Sequence, residues 1–369
     1  MIPKLKDMIE KSPAGMITYA DYIQFSLYDP EYGYYMKEKV KIGKKGDFYT
    51  SSNVSSIYGK TVARWFSLLA EKGVAAPAVC EIGGGNGRFA RAFLEEWEEA
   101  SNGPITYYIV ETSPFHRKLQ NELLSPEFEI IQLESVKELN NFEGLIFSNE
   151  LFDALPVHLI EKEKGELFEI MIAVSGDQLT ERKVPLTNPE ILAFLQESGL
   201  KLSNSQRIEI PLQMEKLIEE IAERLKKGVA VTVDYGYTKE DWGHPSRRKG
   251  SLRGYYKHQM ENNVLNHTGE MDITSHIHFD WLINRGEKYS LQFVEKFRQD
   301  EFLLKSGILK DLEENYDPNP FSETSKRNRA IRSLIMPSGI SESFHIVIQQ
   351  KGQDYLLDDY FSNNEKTPE

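Results

Sequence analysis

From Ala78 onward, short apolar runs alternate with stretches in which apolar residues recur every three or four positions. The first pair sets the pattern: A-V-C-E-I runs into G-G-G-N-G, after which Phe89, Phe93 and Trp97 fall at i, i+4, i+8. That spacing predicts a strand, a Gly-rich turn and a helix with one apolar face. Further strands are expected at Ile105–Glu111, at Glu129–Ser135, within Gly144–Pro156, at V-A-V-T-V-D-Y-G ending on Gly236, and at S-F-H-I-V-I-Q-Q near the end. Between them P-F-H-R-K-L-Q-N-E-L-L, Leu212 to Lys227 and a stretch from about Ser290 to Ser306 read as helices. Strands alternating with helices predict a parallel sheet covered on both faces.

The first 75 residues read as a helical, loop-rich cap. Thr18 and Asp21 make a capping pair ahead of Tyr22, Phe25 and either Ser26 or Tyr28, and the helix stops at Asp29-Pro30. A second helix carries Ile57, Val62, Trp65, Phe66 and Leu69 and closes at Gly73. Two excursions interrupt the later alternation. Residues 157–210 read as a hairpin with its turn at Lys164-Gly165, then a helix from Asn188-Pro189 to Gly199. Residues 237–285 have too little apolar periodicity for a helix pair, and long loops of this kind are usually functional. The expected organisation is a cap over 1–75, a core over 76–236 and 286–352, an inserted substrate region over 237–285, and a polar tail over 353–369.

Glycines at such a turn allow φ > 0 and the close approach of a ligand, beside the free N–H groups of a helix start. The dinucleotide fingerprint G-x-G-x-x-G would need its third glycine at position 88, which is Arg88. The pattern present is Glu81, Gly83, Gly85, Gly87, and E-x-G-x-G-x-G resembles the first motif of class I S-adenosylmethionine-dependent methyltransferases. Glu111, ending the second strand, is placed to accept from ribose hydroxyls, and Glu134 and Ser135, ending the third, lie where an adenine ring is expected. The fourth strand releases Ser148, Asn149, Glu150 and Asp153 together, at the end of a strand where open α/β sheets bind ligands. Asp234 and Tyr235 end the fifth strand. His276 and His278 alternate on a strand face, and with His267 and Asp272 they invite a metal reading. Neutral histidines that hold a loop or touch substrate explain the same residues, so no metal is expected.

Composition narrows this. The chain has 369 residues, enough for one large or two unequal units, and 40% of them are hydrophobic, enough for a real core. A net charge of −13 disfavours nonspecific nucleic-acid binding and suits a basic partner. Cys80 is the single cysteine, which rules out an intramolecular disulfide or a Cys-based zinc site. The first residues lack the features of a secretory or organelle signal, and no apolar run is long enough to span a membrane. A soluble, reducing, cytoplasmic setting is therefore expected. No nucleophile elbow, P-loop or kinase catalytic loop is present to support hydrolase or phosphotransfer chemistry.

Several segments together resemble the MidA family of methyltransferases, which includes a mitochondrial arginine methyltransferase that assists assembly of respiratory complex I. They are L-Y-D-P-E-Y-G-Y-Y, G-D-F-Y-T-S, E-I-G-G-G-N-G, E-T-S-P, S-N-E-L-F-D-A-L-P-V, D-Y-G-Y, and S-L-R-G-Y-Y-K-H through G-E-M-D-I-T-S-H-I-H-F, in the family's order. Gly84 departs from a common Pro, and T-S-S-N-V-S from the usual T-S-P-E-V-S. The resemblance implies a Rossmann-like α/β fold of class I methyltransferase type, with a mostly parallel seven-stranded sheet whose last strand is reversed. It also implies S-adenosylmethionine as cofactor and symmetric dimethylation of a protein arginine. Expected cofactor contacts are Glu81, Gly83, Gly85, Gly87, Glu111, Glu134, Ser135 and Thr50, with Asn149, Glu150 and Asp153 catalytic. Asp234, Tyr235, His276 and His278 are expected to meet substrate. The expected partner is an arginine-bearing protein, with no nucleic acid and no membrane, in a chain that could form a homodimer. The alternatives are an assembly or binding protein that keeps the fold, and a methyltransferase with another substrate.

Overall fold

The computed structural model describes residues 2–39, 41, 56–124, 127–312, 318–336 and 343–353. Its strands are β1 (Met16–Thr18), β2 (Ala78–Ile82), β3 (Thr106–Val110), β4 (Ile130–Leu133), β5 (Phe142–Asn149), β6 (His158–Glu163), β7 (Glu166–Ser175), β8 (Gln178–Pro185), β9 (Arg207–Ile210), β10 (Leu225–Tyr237), β11 (Arg253–Tyr256), β12 (Gln259–Glu261), β13 (Asp272–Thr274), β14 (Ile277–His278), β15 (Gln292–Arg298) and β16 (Phe344–Lys351). Its helices are α1 (Ile2–Lys11), α2 (Tyr19–Tyr28), α3 (Ser56–Glu71), α4 (Arg88–Glu99), α5 (Pro114–Leu124), α6 (Pro189–Ser198), α7 (Leu212–Arg224), α8 (Lys239–Trp242), α9 (Phe279–Lys288), α10 (Gln299–Lys305) and α11 (Glu323–Ile335).

The chain divides into two units. One comprises Met1–Phe48, Phe152–Ile218 and Gly236–Asn284, the other Tyr49–Leu151, Glu219–Tyr235 and Arg285–Glu369. The second unit holds a mixed sheet in the order β15-β16-β10-β5-β2-β3-β4. β4, β3, β2, β5 and β10 are mutually parallel, while β16 runs antiparallel to both β10 and β15. The apolar stripe read from the sequence buries Phe89, Phe93 and Trp97, and Phe89 stacks on Phe147 of the central strand at 4.4 Å between ring centres. Each such ring contributes roughly 1.5–3 kcal/mol by leaving water, which fixes α4 against the sheet and aims its N-terminus at the end of β2.

In the first unit β1, β7, β6 and β9 form an antiparallel sheet with β8 paired to β7, and β11 pairs antiparallel with both β12 and β13. Thr18 caps α2 reciprocally: its hydroxyl accepts from Asp21 N at 3.0 Å, and the Asp21 carboxylate accepts from Thr18 N at 3.1 Å. α1 and α2 bury Leu5, Ile9, Tyr22, Ile23 and Leu27 in one cluster with Ile170, Ile172 and Ile273. The Tyr22 hydroxyl donates to Val264 O at 2.7 Å, tying the N-terminal helices to the chain near residue 264.

The structure departs from the pattern reading in several places. The stretch 290–306 is not one helix but β15 followed by α10, because Val294 and Phe297 turn inward as Gln292–Arg298 pairs with β16 across a bulge. β10 begins at Leu225, so α7 ends at Arg224 and not at Lys227. The expected cap over 1–75 is divided, since α3 buries Trp65 and Phe66 in the second unit's core. Residues 152–218 group with the N-terminal segment, as β1 pairs with β7. The stretch 237–285 carries the small β11–β13 sheet and the helix α9.

Gly144 sits where β5 passes closest to β2: its φ is 146°, and a Cβ there would lie 2.2 Å from the Ala78 carbonyl oxygen. Gly144→Ala should therefore lower unfolding stability by more than ~2 kcal/mol in urea titrations, since the backbone of a central strand must move to admit the methyl.

Candidate active site

The glycine turn is held from three directions. Gly83 N donates to Val110 O at 2.8 Å, and Gln120 Nε2 donates to Gly85 O at 2.8 Å. The buried Glu111 carboxylate accepts from Gly85 N at 3.1 Å through one oxygen and from Ser113 N at 2.8 Å through the other. His116 Nδ1 lies 3.6 Å from the first of these oxygens. Gly83, Gly85 and Gly87 take φ of 75°, 50° and 80°, so the left-handed backbone at all three follows from their lacking a Cβ. Gly87 caps α4 with no side-chain hydrogen bond of its own, and the first N–H of the helix, that of Arg88, donates to Asn86 Oδ1 at 3.3 Å. Glu111 retains acceptor sites beyond its two backbone bonds, as a carboxylate has about four.

Glu81 lies beneath this turn. It is buried, and the Tyr107 hydroxyl donates to it at 3.0 Å. Burial pushes its carboxyl up to about 8, against the Tyr107 hydrogen bond and with help from the charge of Glu111. Glu134 is exposed and pairs with Arg117 at 2.6 Å, while Ser135 caps the short turn after β4 by accepting from Lys137 N at 3.2 Å. Thr50 falls outside the described residues.

At the carboxyl end of β5, Ser148 is in register with Ile82 on one side and Thr232 on the other, and Asn149 with Val233. Here the chain turns sharply: Glu150 has φ 51°, unusual for a residue with a side chain, and its N–H donates to Val233 O at 2.9 Å. Asn149 Nδ2 donates to Glu150 Oε1 at 3.1 Å. Asn149 Oδ1 and the Tyr58 hydroxyl are buried without a hydrogen-bond partner among the described residues, a costly arrangement that a ligand would relieve. Complete burial, and after it the charge of Glu150, raises the Tyr58 hydroxyl above its ordinary range, so it stays protonated and available to donate. Gly83 packs on the same segment, since a Cβ there would lie 3.0 Å from Leu151 Cδ1. Tyr58 was not anticipated; its neighbours on α3 read as core, and its one signal was a hydroxyl on an otherwise apolar face. Asp234 is buried and accepts from Tyr235 N at 2.9 Å, and the Tyr235 ring meets Phe344 edge-on at 5.4 Å.

The first unit gathers other predicted residues. Asp153 is buried, and its carbonyl accepts from Ser275 N at 2.9 Å. The Tyr35 hydroxyl donates to the buried Asp272 at 2.6 Å, and Tyr28, stacked on Tyr35 at 5.6 Å, donates to Ala154 O at 3.0 Å. Burial and the charges of Asp272 and Asp153 hold the Tyr35 hydroxyl protonated well above its usual range. Thr274 shares a face of β13 with Asp272, and its hydroxyl is buried without a partner among the described residues. This acidic, tyrosine-lined cluster was invisible as such in the sequence, where L-Y-D-P-E-Y-G-Y-Y read as a helix end and as one segment of the family resemblance.

His278 is buried and donates from Nε2 to Glu209 O at 2.8 Å, stacked on Trp242 at 4.5 Å. His276 is half-buried and stacks on Tyr237 at 4.3 Å. Burial lowers both imidazoles to about 3, with Arg253 and Arg247 adding to the effect at His276, so both are neutral at pH 7. Among the described residues no group of three or more His, Cys, Asp or Glu side chains could hold a metal ion.

A family model described as "Putative S-adenosyl-L-methionine-dependent methyltransferase" matches residues 58–296. A rat protein named as a mitochondrial protein arginine methyltransferase, NDUFAF7, is 26% identical over 381 residues, covering 93% of this chain and 83% of its own. The human protein of the same name is 25% identical and covers 93% of this chain and 82% of its own. A crystal structure from Burkholderia thailandensis, bound to S-adenosyl-homocysteine, superposes with a TM-score of 0.88 at 26% identity, covering 98% of this chain and 94% of that one. The cytoplasmic expectation is overturned by these relatives, which are mitochondrial proteins. Its basis, the make-up of the first residues and one buried cysteine, does not distinguish one reducing compartment from another.

Glu81 makes stability depend on pH in an unusual direction for a carboxylate. Its folded value of about 8 lies above its unfolded value, so its contribution is fully present at low pH and lost as pH rises toward 8. The loss should approach about 1.4 kcal/mol per pH unit within that window. Urea denaturation at pH 5, 6.5 and 8 should show this slope in the parent and a flatter one in Glu81→Gln; equal slopes would remove Glu81 as its source.

Proposed function

The chain belongs to the family of S-adenosyl-L-methionine-dependent methyltransferases whose model it matches over residues 58–296, and from that premise we propose that it methylates an arginine side chain of a protein. The observation that carries this reading is the half-buried Asn149–Glu150 pair at the carboxyl end of β5, beside the glycine turn. It stands in a chain that aligns along 93% of its length with proteins named arginine methyltransferases. We read the path β4-β3-β2-β5-β10-β16-β15, with β16 reversed, as the class I methyltransferase arrangement.

The residues fit the cofactor. Gly83, Gly85 and Gly87 give the turn its left-handed backbone, Glu111 has acceptor capacity for the ribose hydroxyls, and Asn149 Oδ1 and the Tyr58 hydroxyl are buried polar atoms that lack partners among the described residues. Glu134 and Ser135 are assigned to the adenine end by the logic of the fold, with Glu138 holding both of their N–H groups at 2.8 Å and so fixing the backbone there. When bound, the cofactor supplies a methyl group on a positively charged sulfur.

A guanidinium is a weak nucleophile because its lone pairs are delocalised. A carboxylate that accepts two of its N–H groups orients one nitrogen and concentrates positive charge on the remainder. Glu150 is proposed for this task, with Asn149 Nδ2 fixing its carboxylate, and Asp153 as a second carboxylate for the cation. Positioning and electrostatics of this kind are what such transfer requires of a protein. Asp234, Tyr235, His276 and His278 remain proposed substrate-side residues; the backbone partner of His278 gives it the role of shaping the surroundings. Symmetric dimethylation is the product form that the MidA resemblance supports.

Glu150→Gln should reduce labelled-methyl transfer by at least about 100-fold while calorimetric affinity for S-adenosyl-homocysteine stays within a few-fold of the parent. Near-normal turnover would take Glu150 out of the reaction. Gly85→Val should abolish that affinity while circular dichroism stays native, because a branched side chain would both strain φ of 50° and fill the turn. Mass spectrometry of the labelled protein from a lysate of the same cell then tests arginine directly: label on another residue type would overturn the arginine reading while leaving methyl transfer intact.

A further inference from the structure

The Tyr58 hydroxyl and Asn149 Oδ1 belong to the second unit, and both are buried without a hydrogen-bond partner among the described residues. Their chemistry is complementary. The amide oxygen of Asn149 only accepts, and its orientation is fixed, since Nδ2 of the same amide donates to Glu150 Oε1 at 3.1 Å. The Tyr58 hydroxyl has a proton to give, because burial, and after it the charge of Glu150, keeps it from ionising.

Packing puts the two groups on one side of the sheet. Phe147 and Asn149 are two positions apart on β5 and share a face of that strand. Phe89, the second residue of α4, covers this face by stacking on Phe147 at 4.4 Å between ring centres, and the Tyr58 ring lies 6.0 Å from that of Phe89. The helix α3 is held close at this point: at Gly59, the next residue, a Cβ would stand 2.9 Å from Ala92 Cβ and 3.0 Å from Phe89 O. Tyr58 thus sits beside the first turn of α4, the helix that the glycine turn opens, and Asn149 ends β5. The positive end of the α4 dipole favours a carboxylate, and the charge of Glu150 favours an ammonium.

One buried donor and one buried acceptor match a ligand end that carries both charges a few bonds apart. We propose that the Tyr58 hydroxyl and Asn149 Oδ1 hold the amino-acid end of S-adenosylmethionine, the hydroxyl donating to its α-carboxylate and the amide oxygen accepting from its α-ammonium. This assignment rests on the cofactor reading of the chain and deepens it, and it is independent of which residue is methylated. A substrate guanidinium matches the pair less well. It offers N–H donors only, so it would satisfy Asn149 Oδ1 and leave the Tyr58 proton without an acceptor.

Calorimetry on the full chain compares S-adenosyl-homocysteine, its analogue without the α-carboxylate, its analogue without the α-amino group, and 5′-methylthioadenosine, which lacks the whole amino-acid end. Tyr58→Phe should weaken S-adenosyl-homocysteine and the amine-free analogue by about 10- to 100-fold, as loss of a hydrogen bond to a charged group does, and leave the other two within about 3-fold. Asn149→Ala should weaken S-adenosyl-homocysteine and the carboxylate-free analogue and spare the amine-free analogue and 5′-methylthioadenosine. Retained binding of 5′-methylthioadenosine establishes that each variant is folded. Without ligand, Tyr58→Phe should melt no lower than the parent, since it removes a hydroxyl that has no partner. An unchanged ligand profile in Tyr58→Phe, or a loss spread equally over all of the ligands, overturns the assignment. So does a lower melting temperature in that variant, because the hydroxyl would then be serving the fold. Each of these outcomes leaves the cofactor reading standing while the parent binds S-adenosyl-homocysteine; a parent that does not bind it removes both.

Discussion

The Glu111 carboxylate accepts from Gly85 N and from Ser113 N, so the turn after β2 and the entry to α5 share one acceptor. The shape of the turn depends on this. Three glycines with positive φ would be a loose loop if nothing held them, because glycine has the most backbone freedom to lose. Glu111 from one side, Gln120 from another and the β3 backbone at Val110 reduce that freedom to one conformation. A cofactor then meets a surface already formed, and its binding does not have to order the loop.

A second constraint lies just below. Glu81 is buried under the turn and close enough to Glu111 to feel its charge, and two ionised carboxylates in that space would repel. The protein keeps Glu81 largely protonated and bonded to Tyr107, while Glu111 accepts from the backbone of the turn. Two buried acids of similar chemistry are thereby given different tasks by their partners, a tyrosine hydroxyl for Glu81 and two backbone N–H groups for Glu111. In the first unit burial, and after it the neighbouring carboxylates, keeps Tyr35 neutral and donating.

Polar groups without partners mark the remaining business of the molecule. Asn149 Oδ1 and the Tyr58 hydroxyl in one unit, and the Thr274 hydroxyl in the other, are buried and unbonded among the described residues. A fold stabilised for its own sake would have satisfied or removed such groups, since each costs free energy that packing must offset.

Periodicity was enough to place β2, the turn and α4, because the 3.6-residue spacing of Phe89, Phe93 and Trp97 and the run before Glu81 are local facts of the chain. It was also enough to put Glu111, Asn149 and Glu150 at strand ends, since the apolar runs before them stop there. It could not show that Glu111 bonds the turn itself, that Tyr58 joins the segment at Glu150, or that Tyr35 meets Asp272, 237 positions away. Nor could it show that residues 292–298 form a strand, for Q-F-V-E-K-F-R carries a pattern that either element accepts until β16 offers a pairing edge. The reason is common to all of these. Local spacing reports which face of an element is apolar, whereas the partner of a buried polar group and the edge that captures an ambiguous segment exist only once distant parts of the chain have been brought together.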